Sequence, residues 1–169
     1  FSDAFGYGLL NAHNAVRLAE TWTKQQSIDN LDTYTVEENG KKVLASGTAD
    51  KVIIEVEIDK AMSVEHVQMS LSLKNWSATG DLDIFLVSPS GTTVQLLYER
   101  DNRASNGNLN DFAFSSVGTM GEMAEGVWEI HVINNNPGST DNTGNPRVGT
   151  IEDVSLTIHG DATDHADDV

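Results

Sequence analysis

The stretch Leu82-Asp83-Ile84-Phe85-Leu86-Val87-Ser88-Pro89-Ser90-Gly91-Thr92 decides the fold class. Between Leu82 and Val87 only Asp83 is polar. An apolar run this short, closed by turn residues, reads as a β-strand covered on both faces. Ser88-Pro89-Ser90-Gly91 supplies the turn, because Pro presets φ and Gly accepts a positive one. With Leu82, Ile84 and Leu86 facing a core, Phe85 and Val87 point outward and need a cover. The chain's own loops, a neighbouring helix or another domain could each supply it.

Outward from this strand the period of two continues. Val67, Met69, Leu71 and Leu73 alternate with Gln68, Ser70, Ser72 and Lys74. Trp128, Ile130 and Val132 form a second such face, and Val154, Leu156 and Ile158 a third. Each marks a half-buried strand. Asn134 to Gly149 is a long loop rich in Asn, Gly and Pro. About eight short strands separated by turn residues predict an all-β fold, an antiparallel jelly-roll sandwich. No internal repeat is visible.

One helix is expected before the strands, over residues 9–22, with Leu9, Ala12, Val16 and Ala19 on one face. Gly6 and Gly8 precede it and suit a tight turn into it. A lone amphipathic helix cannot bury its stripe by itself, so it should pack on the β domain or on a domain outside this chain. Residues 23–40 read as a linker with one short strand near Tyr34-Thr35-Val36, and 41–160 as the sandwich. Residues 161–169, with four Asp, read as a disordered acidic tail.

The 169 residues suffice for one domain with a real core. The chain has no Cys, which removes disulfides, thiolate metal sites and Cys nucleophiles. Acidic residues outnumber basic ones 26 to 10, a formal charge of −16 that repels nucleic-acid phosphates. No run of about 18 apolar residues offers a membrane span. Nucleic acid and membrane are therefore not expected partners, and a monomer is the default state. The start at Phe1 reads as a segment cut from something longer.

Two regions resemble a known family. Phe5-Gly6-Tyr7-Gly8-Leu9-Leu10-Asn11-Ala12, continuing through Ala15-Val16 to Trp22, resembles the closing helix of a subtilisin/kexin-type catalytic domain. Residues 41–160 resemble the P domain of proprotein convertases through four islands. These are Gly80 to Thr92; Leu97-Tyr98-Glu99-Arg100-Asp101; Gly121-Glu122 with Gly126-Val127-Trp128; and Gly149-Thr150-Ile151 with Leu156 to Gly160. The family's His shortly before the first island is replaced by Asn75-Trp76-Ser77, and its eukaryotic cysteines are missing, which leans towards a bacterial relative. The resemblance implies a non-catalytic module of a secreted serine endopeptidase, joined to a subtilisin-like catalytic domain that it helps to fold and stabilise. It also implies protein substrates for the parent, with the Ser-His-Asp triad lying before Phe1.

The residues themselves agree with a chain that holds no catalytic centre. Of the five His (His13, His66, His131, His159, His165), none sits in a motif placing it beside a Ser, and no nucleophile-elbow sequence occurs. Calcium is the candidate cofactor, since a hard cation needs several carboxylate, amide and carbonyl oxygens. Asp81, Asp83 and Asp101, with Asn102 and Asp111, form one candidate set. The loop Asn134-Asn135-Asn136, Asp141, Asn142 and Asn145 forms another, although Asn also serves turn geometry. Leu9, Val16, Trp22, Phe85 and Val87 are the expected interdomain docking contacts. Two rival readings remain at this stage. One is a substrate- or carbohydrate-binding jelly roll, for which Trp76 in a loop could offer a stacking ring. The other is a calcium-dependent structural or adhesion domain.

Overall fold

Residues 4–6, 8–22, 27–76, 78–100 and 108–161 are described by the structure, a computed structural model. The helix α1 spans Ala12–Thr21, shorter than the expected 9–22, because Asn11 caps it. The Asn11 side chain accepts the Asn14 N–H at 3.1 Å, which satisfies one of the helix's orphan donors. Before the cap, the Gly8 N–H bonds the Phe5 carbonyl at 3.0 Å, with Gly6 and Gly8 both at positive φ. No residue of α1 is buried.

Among the described residues nine strands follow: β1 (Asp32–Glu38), β2 (Lys42–Ala45), β3 (Lys51–Ile58), β4 (Ser63–Lys74), β5 (Leu82–Val87), β6 (Thr93–Leu97), β7 (Leu109–Ser116), β8 (Gly126–Asn134) and β9 (Val148–Asp161). They form two antiparallel sheets. One runs β1-β9-β4-β7 with β2 also on β9, and the other β3-β8-β5-β6. Neighbours come alternately from the two halves of the chain, which is the jelly-roll winding.

The core lies between the sheets. Leu82, Ile84 and Leu86 from β5 meet Val67, Met69 and Leu71 from β4, Trp128, Ile130 and Val132 from β8, and Leu156 and Ile158 from β9. All are essentially inaccessible. Each such side chain contributes roughly 1.5–3 kcal/mol on burial. The strand faces assigned from the period of two are therefore the faces observed.

Four expectations need correction. The region 23–40 is not wholly a linker: β1 runs from Asp32 and pairs with β9 along its whole length, Asp32 with Gly160 through Glu38 with Val154. Its half-buried Asp32, Tyr34, Val36 and Glu38 alternate with the exposed Thr33, Thr35 and Glu37, the pattern of a strand with one covered face. Asp161 does not begin a tail, because it closes β9, is buried, and its carboxylate accepts the Asn30 amide at 3.2 Å. Residues 162–169 lie outside the described residues. The strand β5 is fully covered on its inner face only, while Asp83, Phe85 and Val87 are half-buried. Trp76 is no open loop ring. It is fully buried and donates its indole N–H to the Ala78 carbonyl at 3.1 Å.

Candidate functional site

The first and last turns of β5 carry most of the candidate chemistry. At its start, Asp81 sits in a short 3-10 turn, Thr79–Asp81, and is buried. Its Oδ2 accepts the Asn136 amide at 3.2 Å, and its carbonyl accepts the Asn135 N–H at 2.9 Å. Asp83 lies two residues on. Its Oδ2 accepts the Asn135 amide at 2.7 Å, and its Oδ1 the Glu99 N–H at 2.6 Å. The two sets once considered separately for calcium thus meet in space, and they meet as acceptors against donors. Asn134 completes the junction, donating to Asp50 Oδ1 at 2.6 Å and to the Ser46 hydroxyl at 3.2 Å.

A calcium ion at this junction would share its oxygens with N–H donors. Calcium takes several oxygens, whereas both Asp83 oxygens and Asp81 Oδ2 already receive N–H groups. The other candidates lie elsewhere. Asp111 is on β7 at φ +46°, where it accepts the Ser70 hydroxyl at 2.6 Å and donates its N–H to Ser72 Oγ at 3.0 Å. Asp101 and Asn102 lie outside the described residues. Among the described residues no three His, Asp or Glu side chains gather as metal ligands. In the Asn-rich loop, Asp141 accepts the N–H groups of Thr143 at 2.8 Å and Asn145 at 3.0 Å, which is turn chemistry. The Thr143 hydroxyl and N–H hold its carboxyl below the usual aspartate range.

At the other end of β5 the turn Ser88–Thr92 is held from across the sandwich. The Ser90 hydroxyl donates to Glu122 Oε2 at 2.5 Å, and Ser88 Oγ lies 3.0 Å from Ser90 Oγ. Burial pushes the Glu122 carboxyl up, but the hydroxyls of Ser88, Ser90 and Thr92 outweigh it and hold the group below the ordinary glutamate range. Gly126, at φ +128°, lies under the same turn, where a Cβ would come 2.9 Å from Pro89 Cβ.

The expected docking residues fall on two surfaces. Leu9 precedes α1 and is 99% exposed; Val16 within it and Trp22 at its C-cap are 61% and 53% exposed. Phe85 and Val87 lie on the outer face of β5. The row Phe85, His131, Ile53 crosses that face from β5 through β8 to β3. Val127 and Ile133 on β8 enlarge the apolar patch, and His131 is tied to Glu129 at 2.7 Å. Since α1 buries none of its residues, it does not cover Phe85.

Residues 64–157, more than half of the chain, match the family model described as the proprotein convertase P-domain. The chain belongs to that family. Its relatives include Furin-like protease 2 of Drosophila melanogaster, 37% identical over 79% of this chain and 8% of that protein. Human Furin is 31% identical over 95% of this chain and 19% of its own length. The P domain described here thus spans less than a fifth of those proteins. The fold agrees with a solved serine protease of Aeromonas sobria, with a TM-score of 0.73 at 23% identity, covering 95% of this chain and 32% of that one. A more distant likeness in fold, the FLHE structure, reaches a TM-score of 0.52 at 11% identity over 78% of this chain and 98% of that one.

Three features of the P domain went unread in the sequence. The Glu122 clamp was flagged only as part of an island, although an acid just before a Gly-rich approach to a strand is its signal. Ile53 and Val127 belong to the outer apolar face, which needs the pairing of β3, β8 and β5 to become visible. The stacked rings of His66 and His159, 5.1 Å apart, join β4 to β9 although they stand 93 positions apart in sequence, and no local pattern announces them.

Proposed function

We propose that this P domain is a non-catalytic clamp on the catalytic domain of a secreted subtilisin/kexin-type serine endopeptidase, holding that domain folded. One observation carries the reading: α1 is an amphipathic helix without a single buried residue, its Val16 and Leu18 open to solvent and Leu9, Leu10 and Trp22 beside it equally bare. Apolar surface on that scale marks contact with another body. In this reading α1 is the last helix of the catalytic domain, and the outer face around Phe85 is the second point of contact. The parent hydrolyses proteins, and this domain acts on the parent's stability and on access to its cleft.

The experiment compares the parent protease with and without Asp32–Asp161, following peptide cleavage and the rate of thermal inactivation. Loss of active enzyme or faster inactivation on truncation supports the clamp. An equally stable truncated enzyme with normal cleavage would sink it. Phe85→Asp in the parent separates the surfaces: shortened lifetime of the protease, with the P domain itself still folded, places the contact on β5.

A further inference from the structure

The gap between the two sheets is open at one edge. Phe112 is paired with Leu71 and Phe114 with Met69, both core residues of β4, so both rings point inward. Phe114 is 8% exposed, as an inner-face residue should be, but Phe112 is 49% exposed. Their ring centroids lie 4.9 Å apart. Beside them is a cavity of about 270 Å³, walled by Leu97, Leu109, Phe112 and Phe114, with Thr79, Arg100 and Asn108 on its polar side. It lies between β6 and β7, and among the described residues each of these is the outer strand of its sheet.

Arg100 gives the cavity its chemistry. Its backbone N–H is fixed to the Gly80 carbonyl at 2.9 Å. Its guanidinium pairs with no carboxylate among the described residues, whereas Arg17, Lys41 and Lys60 each do. An arginine with no carboxylate partner among the described residues, on the wall of a cavity that two aromatic rings also line, is unusual placement in a chain of charge −16. A guanidinium binds a carboxylate through paired N–H groups. The cavity is slightly smaller than the roughly 300–1,000 Å³ of whole-ligand pockets, and so suits one side chain. Outer strands on either side offer backbone groups to an extended chain.

We propose that this mouth binds the C-terminus of an extended peptide whose last residue is apolar. The last side chain lies against Phe112 and Phe114, and the terminal carboxylate meets Arg100. This site lies between the two sheets at their β6 and β7 edge, not on the β3-β8-β5 outer face, and does not depend on the clamp reading.

The test uses the full 169-residue chain and a short N-acetylated, fluorescently labelled peptide ending in Phe, as the free acid and as the C-terminal amide. Anisotropy reads affinity, and amide chemical shifts read location. The free acid should bind about tenfold more tightly than the amide, the worth of one charge-assisted pair. The shifts should centre on Arg100, Leu109 and Phe112. Arg100→Gln should bring the acid down to the amide's affinity, and Phe112→Ala should weaken both peptides. Melting curves confirm that both variants are folded, and Phe112→Leu is the substitute should Phe112→Ala fail to fold. Equal binding of acid and amide overturns the proposal. So does binding of neither, the outcome expected if the chain's own connection from Arg100 to Asn108 fills the mouth, and so do shifts confined to another surface.

Discussion

The carboxylate of Glu122 accepts the hydroxyl proton of Ser90, 32 residues earlier in the chain, and so ties the turn after β5 to the approach of β8. Two family islands are therefore one structural unit. Glu122→Gln keeps the shape but removes the charge that three hydroxyls solvate. A loss of about 1–2 kcal/mol is expected, the range for hydrogen bonds to a charged group. Because the folded carboxyl lies below its ordinary range, its stabilisation is present above the unfolded pKa and lost as pH falls through the folded one. Denaturant midpoints measured from neutral pH down to about 3 should converge for the two proteins at the acid end. Parallel curves would contradict the clamp.

His66 behaves in the opposite chemical sense with the same outcome in acid. Burial, and then the neighbouring charge of His159, holds its pKa below the ordinary histidine value. The neutral ring accepts or donates within hydrogen-bond range of Ser115 Oγ at 2.7 Å, while His159 does the same with Thr33 at 3.1 Å. Since the unfolded chain binds the His66 proton more tightly, the contribution of His66 is intact above a pH of about 6.5 and declines below it. Melting temperatures of His66→Gln should fall less steeply than those of the native chain between roughly pH 7 and 5. An unchanged slope would show that the stacked pair does not govern this range.

Gly160 is the least substitutable position. It pairs with Asp32 on one side and Val64 on the other, and a Cβ there would stand 2.0 Å from the Ser63 carbonyl oxygen, a backbone atom that cannot swing away. Gly160→Ala should cost more than about 3 kcal/mol, in the range reserved for steric disruption of a core. Loss of the cooperative thermal transition, or its displacement by well over 10 °C, is the expected reading. A near-native melt would mean that β4 and β9 can part locally without consequence.

Chelation should leave the domain untouched if the Asp81–Asp83 junction is held by Asn135 and Asn136. Melting curves with and without a calcium chelator should superimpose, and added calcium should not raise the midpoint as a ligand of the native state would. Asp83→Ala, by contrast, strands the Glu99 N–H and one Asn135 amide proton. Each partly buried orphan donor costs about 1–3 kcal/mol. A calcium-dependent midpoint that Asp83→Ala abolishes would reverse the assignment and make the junction a cation site.

What could be read in advance follows from what each signal rests on. The register of β5 was legible because Leu82, Ile84 and Leu86 bury one face of an otherwise apolar run, and a sandwich leaves little choice about which face that is. The strand β1 was only glimpsed, because its Glu residues and its exposed alternate positions resemble a solvated linker until β9 is beside it. Trp76 carries no period at all; its close packing shows only at Gly149, where a Cβ would come 3.1 Å from the indole ring. The Asp81–Asp83 set is legible as a cluster of acceptors, but its amide donors lie 52 and 55 residues away in sequence, so no local pattern shows them. The outer face around Phe85 was half legible: the strand was certain to have one, but Ile53 and Val127 join it only through sheet order.

The pairing of Asp32 with Gly160 places the way into the sandwich and the way out of it on adjacent strands, roughly 5 Å apart. The module is consequently suspended from a single pole, like a bead on a doubled thread, instead of being strung through the middle. Lengthening or shortening the tether before Asp32 would pivot the whole sandwich about that pole without changing the distance between its two ends. Any polypeptide continuing past Asp161 would set out beside the same pole, next to the start of β1, and not from the opposite end of the sandwich.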